Sequence, residues 1–394
     1  MIPLLLILII ATAEMSTSIY TPSLTSVATH FNISPALAQW TVSINLLGLA
    51  LSGPIYGPWS DCHGRRTVLR IGMGLFLFGS IFALFAHSIE ILLIARFVQG
   101  LGEGVAVVIA FAVVRDLFDE KKSAQVLSYM GMAIALSPGL APILGGYIAH
   151  TLGWKMCFGV VSFAAAVLII FLFLLMPETL PENNRIPFSF KAITQGYLAT
   201  LKNTNFLKLA LIPAIMIGGL WAWMAGLPLL FVGFLGVPLQ HYGYYGFSSI
   251  IIYIIGTFIN SKCVHKISLR KLLFIGLCLS LFSSISLFIS GYLKVANPII
   301  LQILNFPFAF GLAFILPNGT ALAFSEVKKG LGTSSALLGS LEMAFGALSI
   351  FLLGQFFQGT ILSIASIMLG ASFLSIILFI IDFLRLRTGI SLTP

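Results

Sequence analysis

The sequence predicts an all-α membrane protein with about twelve spanning helices in two six-helix halves, and three observations carry that prediction. Apolar runs of about twenty residues, enough to cross a bilayer core, recur along the whole chain. Only 8% of residues are charged and 59% are hydrophobic, with a mean hydropathy of +1.06. A soluble domain carries about 25% charged residues. The runs are solid blocks, whereas a barrel shows alternating ten-residue segments, and only helices or closed barrels satisfy the backbone in lipid.

The first run, "MIPLLLILIIATAEMS", ends in Ala11-Thr12-Ala13, which resembles a signal-peptidase site. It has no basic leader region, so it is read as the first helix, over residues 2–22. Five more spans are read at 36–57, 67–87, 91–114, 124–149 and 156–176, which makes 1–176 the first bundle. Residues 177–206, rich in Pro, Asn and mixed charge, read as a cytoplasmic connector. The second bundle and a short cytoplasmic tail occupy 207–394, with spans at 207–232, 243–261, 271–291, 297–322, 332–356 and 361–384.

Positive charge orients these spans. With the N-terminus in the cytoplasm, 18 of the 21 Lys and Arg fall inside, Lys155 and Lys294 fall outside, and Arg96 lies within the membrane. Both termini are therefore expected in the cytoplasm. The net charge of +9 follows from this asymmetry and implies no nucleic-acid partner. Cys62, Cys157, Cys263 and Cys278 have no metal-site spacing and the histidines are scattered, so neither a metal nor a cofactor is expected. No phosphate-binding loop and no nucleophile–base pattern appears, which argues against an ATP-driven pump and against an enzyme.

Three motifs sharpen the reading. After the second span, "GPWSDCHGRR" resembles the G-x-x-x-D-R-x-G-R-R/K signature of the major facilitator superfamily. Gly57, Asp61, Gly64, Arg65 and Arg66 match it, and Cys62 stands where Arg is usual. The segment is expected in the loop after the second helix, and the resemblance implies a latch between the two halves on the cytoplasmic side, which Arg115 and Asp116 are placed to join. "RFVQGLGEG" resembles the R-x-x-x-G signature of drug/proton antiporters through Arg96 and Gly100. "SPGLAPILGGY" is similar to the fifth-helix signature of the Bcr/CflA-type subfamily, with Pro138 and Pro142 breaking backbone bonds and Gly145 and Gly146 permitting close helix approach. "SIYTPSL" also resembles that subfamily, whose members read D-M-Y-x-P; here Ser18 replaces the acid.

Four ionisable residues lie deep in predicted spans: Glu14, Arg96, Glu103 and Glu342. A charge at the membrane centre costs about 3 kcal/mol on insertion scales, so such residues face a bundle interior or wet cavity. At about 1.5 Å per residue, Glu14 lies about 12 Å from the outer edge, Arg96 about 8 Å and Glu103 about 18 Å. Arg96 and Glu103 are two turns apart, so each is expected to need a partner on another helix. A contact of Glu14 with Arg96 or with Glu103 would supply one.

Glu14 precedes Ser18 by one turn on the same face, as if the acid had moved rather than vanished. Glu14, Glu103 and Arg96 are therefore the candidates for proton coupling. Each also admits a purely structural reading, as a buried pair that only fixes packing.

Candidate substrate-cavity residues are Ser18, Tyr20, Asn45, Trp221, Trp223, Met224, Tyr253, Asn305 and Glu342. Mid-membrane Trp and Met suit bulky apolar cations, though simple helix packing explains them equally well. The resemblance implies a monomeric transporter in a bacterial inner membrane that expels hydrophobic, often cationic compounds by alternating access, a cation and a proton competing for one carboxylate. Its partners would be a small-molecule substrate, protons and the lipid bilayer. A dedicated exporter of a single metabolite, such as a siderophore or amino acid, shares these features. So would a passive facilitator or a non-transporting sensor, although a sensor is expected to add a soluble domain.

Overall fold

The computed structural model describes residues 1–388 except Ile186, Phe188, Lys328 and Lys329. Those two lysines and the chain end at 389–394, assigned above to the cytoplasmic side, lie outside the described residues. Among the described residues there is no strand, and twelve helices are long and apolar enough to cross a membrane.

The first span joins α1 (Ile2–Ser18) through a 3₁₀ turn at Thr21–Ser23 to α2 (Leu24–Phe31). The next two are α3 (Pro35–His63) and α4 (Arg65–Leu84); the fourth is α5 (Ile89–Glu103) followed by α6 (Val105–Leu117). Then come α7 (Glu120–Leu152), α8 (Lys155–Leu175) and a short connector helix, α9 (Phe190–Lys202). The later spans are α10 (Thr204–Pro228) with a π-turn at Leu229–Phe234, α11 (Leu239–Cys263), α12 (Leu269–Tyr292), α13 (Pro298–Ser325), α14 (Leu331–Phe356) and α15 (Ile361–Thr388).

Side-chain caps mark where several of these helices begin. Ser34, Ser88, Asp119, Asn203 and Asn297 each accept a backbone N–H of the helix that follows. Pro35 and Pro298 open their helices, where a missing N–H is harmless.

The chain forms two compact units. The first comprises Met1–Phe190 with Phe231–Phe247; the second comprises Lys191–Leu230 and the chain from Ser248 onward. Within the first, α1 packs on α7 and α8, α3 on α5, and α4 on α5 and α8. Within the second, α12 packs on α13 and α15, and α10 on α14 and α15.

Two local expectations are corrected. The "GPWSDCHGRR" segment is not a loop: α3 continues through His63, so Gly57 and Asp61 are helical. The helix runs on through Pro54 and Pro58, each lacking one backbone donor, and the turn waits for Gly64 at φ +91°. The fourth span is also not one continuous helix, because it breaks at Gly104, immediately after Glu103.

A buried charge cluster in the first unit

Arg96 on α5 is fully buried and carries the largest of the wholly enclosed side chains. Its Nε donates to the Thr41 carbonyl at 3.3 Å and its Nη1 to the Ser16 carbonyl at 3.4 Å. Nη1 also donates to Gln99 Oε1. Gln99 lies three residues on, so a helix brings it to the same face. Gln99 in turn donates to Ser80 Oγ at 2.8 Å. The guanidinium lies over the rings of Tyr20 and Phe158, at 4.8 and 5.7 Å, and the Tyr20 hydroxyl meets Thr41 Oγ1. Arg96 is thus solvated by carbonyls, an amide and two aromatic faces, which offset part of its burial cost.

Glu103 sits at the end of α5 and is 4% exposed. The Thr17 hydroxyl lies 2.9 Å from its Oε1 and 2.8 Å from Asn45 Oδ1. Ser16 Oγ donates to Glu103 Oε2 at 3.2 Å, and Asn45 Nδ2 lies 3.5 Å from the same oxygen. Asn45 Nδ2 also donates to the Arg96 carbonyl at 3.1 Å. Arg96 and Glu103 form no ion pair and interact electrostatically at longer range. Both find their partners on α1 and α3, as their spacing suggested.

Glu14 is half-buried and makes no hydrogen bond or ion pair among the described residues. Glu103 is the charged group within its electrostatic reach. No contact of Glu14 with Arg96 is seen. Tyr20 and Asn45, expected to line a cavity, are members of the charge cluster, while Ser18 is buried with its hydroxyl unbonded.

Two glycines let these helices meet. A side chain at Gly100 would strike the Asn45 carbonyl, and one at Gly145 would strike the Ile19 carbonyl. Gly146 faces the Leu239 carbonyl in the same way, and Pro138 and Pro142 lie inside the unbroken α7.

At the junction of α3 and α4, Arg65 binds Asp61 at 2.5 Å and Asp116 at 3.1 Å. Glu178, which follows α8, caps α4 by accepting the N–H of Arg65 at 2.8 Å and of Arg66 at 3.3 Å. Arg66 and Arg70 both donate to the Phe173 carbonyl. Asp116 joins this network, whereas Arg115 is exposed and turns to the Phe111 carbonyl of its own helix.

In the second unit, Trp223 is buried, Trp221 and Met224 are half-buried on α10, and Glu342 is half-buried on α14. On α13, Asn305 donates to Ser249 Oγ at 3.2 Å and Gln302 to the same hydroxyl at 2.7 Å. Tyr253 packs beside Leu272, Ala313 and Phe314.

Sequence reading missed Ser16, Thr17, Thr41, Gln99, Gln302 and Glu178. Ser16-Thr17 follows Glu14 directly and Gln99 shares the face of Arg96, so both had a local signal. Glu178 had none, because its role depends on α8 ending beside Gly64.

Twelve apolar helices among the described residues, in two units, with a buried arginine, a buried carboxyl and a half-buried one in the first of them, describe a multi-pass membrane protein of transporter type. The chain belongs to the major facilitator superfamily, whose family model matches residues 6–350. It is 29% identical over 339 residues to a bicyclomycin resistance protein homolog of Haemophilus influenzae, covering 84% of this chain and 82% of that one. Multidrug resistance protein D of Escherichia coli is 27% identical, with 86% and 84% covered. The chloramphenicol resistance protein CraA of Acinetobacter baumannii is 28% identical, with 84% and 80% covered.

These names accord with the drug/proton antiporter motifs read from the sequence. Among solved structures, a peptide transporter POT in complex with sulfate superposes with a TM-score of 0.79 at 14% identity, covering 98% of this chain and 94% of that one. That likeness concerns the fold alone.

Proposed function

We propose that this protein is a proton-coupled antiporter that exports hydrophobic, often cationic compounds by alternating access. It would work as a monomer in a bacterial inner membrane, with both termini in the cytoplasm. The observation that carries the proposal is the proton inventory around Thr17. Its single hydroxyl proton faces two acceptor groups, Asn45 Oδ1 at 2.8 Å and the Glu103 carboxyl, whose oxygens lie at 2.9 and 3.1 Å. The arrangement is complete when Glu103 carries a proton of its own and donates it to Thr17 Oγ1, while Thr17 donates to Asn45. Glu103 is then the proton-loaded carboxyl, and neighbouring Glu14, with no bonding partner of its own, is the group a cation would meet first.

Release of the proton leaves a carboxylate near Arg96, which balances one of the two negative charges. A cation beside Glu14 balances the other. A proton and a substrate cation are therefore alternative occupants of one charge deficit, which is the requirement for exchange. The network around Arg65, Asp61, Asp116 and Glu178, with Gly57, Gly64, Arg66, Pro138, Pro142, Gly145 and Gly146, is assigned to conformational gating. Resistance names among the relatives support the substrate class. An exporter of one metabolite is the second reading, favoured by the hydrogen-bonding cluster of Gln302, Asn305, Ser248 and Ser249.

The test is ethidium transport in proteoliposomes under an imposed pH gradient. Wild type is expected to move ethidium against its gradient, and Glu14→Gln and Glu103→Gln are each expected to abolish that movement. Gradient-driven transport retained in both variants would refute the coupling role.

A further inference from the structure

At the ends of α4 and α8 assigned to the cytoplasmic side stand two arginines that no carboxylate matches. Arg66 and Arg70, the second and sixth residues of α4, lie one turn apart, within about 8 Å of the helix start at about 1.5 Å per residue. Nη2 of each donates to the same acceptor, the Phe173 carbonyl of α8, at 3.3 and 3.2 Å. Two positive charges thus converge on one neutral oxygen. Neither arginine forms an ion pair among the described residues. Asp61 and Asp116 bind Arg65, and Glu178 accepts the backbone N–H groups of Arg65, Arg66, Thr179 and Leu180.

A guanidinium carries five N–H donors. Here each makes a single hydrogen bond among the described residues, and each Nε is shielded from solvent without an acceptor. A shielded donor left unpaired is costly, and like charges at close range repel. One phosphate answers both, because its oxygens accept from the guanidinium fork.

The surroundings suit a lipid. Arg70 lies over the Phe173 ring at 4.1 Å. Side chains four residues apart form ridges on a helix, and the row of Arg66 and Arg70 continues through Gly74 to Phe78, which is exposed. Gly74 is a gap in that ridge, where a Cβ would meet nothing within 4 Å. On α8, Phe173, Ile170 and Phe163 present exposed apolar side chains along the span. The arginines mark the polar end of an apolar face that runs on into the membrane.

We propose that this face of α4 and α8 binds an anionic phospholipid of the cytoplasmic leaflet, with its phosphate between Arg66 and Arg70 and an acyl chain over Gly74. The cytoplasmic leaflet carries anionic lipid, and basic pockets between spanning helices on that side take such head groups. A soluble phosphate compound would find the charge but leave the gap and the rings unused. The inference rests on the orientation adopted above, and not on the substrate or on proton coupling.

The test is native mass spectrometry of the purified protein in detergent, titrated with phosphatidylglycerol or with phosphatidylcholine. Wild type is expected to bind phosphatidylglycerol about tenfold or more tightly than phosphatidylcholine. Arg66→Gln/Arg70→Gln should erase that preference, and Lys191→Gln, which removes a charge from α9, should keep it. Gly74→Phe, which fills the gap and keeps both arginines, should weaken phosphatidylglycerol binding several-fold. Equal binding of the two lipids by wild type would overturn the proposal, and so would a preference that survives the double substitution. Unaltered phosphatidylglycerol binding in Gly74→Phe would overturn it too, and displacement by inorganic phosphate would then assign the arginines to free anions. The readout is binding in detergent, so it is independent of whether ethidium is transported.

Discussion

Arg96 shows how a buried charge is made tolerable without a salt bridge. Its Nε and Nη1 meet the carbonyls of Ser16 and Thr41 and the amide of Gln99, Nη2 makes no hydrogen bond, and the guanidinium lies over two rings. Lysine offers neither the planar fork nor that spread of donors. Arg96→Lys is therefore expected to lower the melting temperature in detergent, as is Arg96→Gln, which strands buried acceptors at a cost of about 1–3 kcal/mol.

Thr17 is the pivot between Glu103 and Asn45, so Thr17→Val keeps the shape and removes both bonds. A loss of about 1–3 kcal/mol is expected from the unpaired groups. It should appear in the same melting assay and be accompanied by weaker gradient-driven transport.

Helix contacts obey the rule that lipid supplies no hydrophobic drive, so close packing of small residues takes its place. Gly145 sits against the Ile19 carbonyl, and backbone there cannot yield as a side-chain tip can. Gly145→Ala should destabilise the first unit by about 1–3 kcal/mol. Gly131→Ala on the same helix meets nothing within 4 Å and should change stability by less than about 0.5 kcal/mol or raise it slightly. A thermal-shift comparison of the two separates packing from helix propensity. Glu178 binds the start of α4 from 113 residues away, and Glu178→Ala is expected to remove about 1 kcal/mol of capping.

For the molecule as a whole, the distribution of Lys and Arg predicts sidedness. In otherwise cysteine-free protein in right-side-out cells, Lys155→Cys and Lys294→Cys should react with an impermeant maleimide. Lys191→Cys on α9 should react only after the membrane is permeabilised. The reverse pattern would overturn the orientation.

The twelve spans were legible in the chain because a membrane leaves little choice: about twenty apolar residues must satisfy their own backbone, and a helix does so locally. Arg96, Glu103, Glu14 and Glu342 were legible as exceptions to that rule, since a deep charge stands out in any apolar run. Their partners were not. Ser16, Thr17, Asn45 and Thr41 lie 51 to 87 positions from the groups they serve, and nothing local to α5 names them. The helical course of the segment from Gly57 to His63 and the cap that Glu178 places on α4 were hidden for the same reason. Hydropathy acts along the chain and can be read there, whereas a hydrogen bond between helices depends on how they rotate and slide against one another, and packing alone sets that.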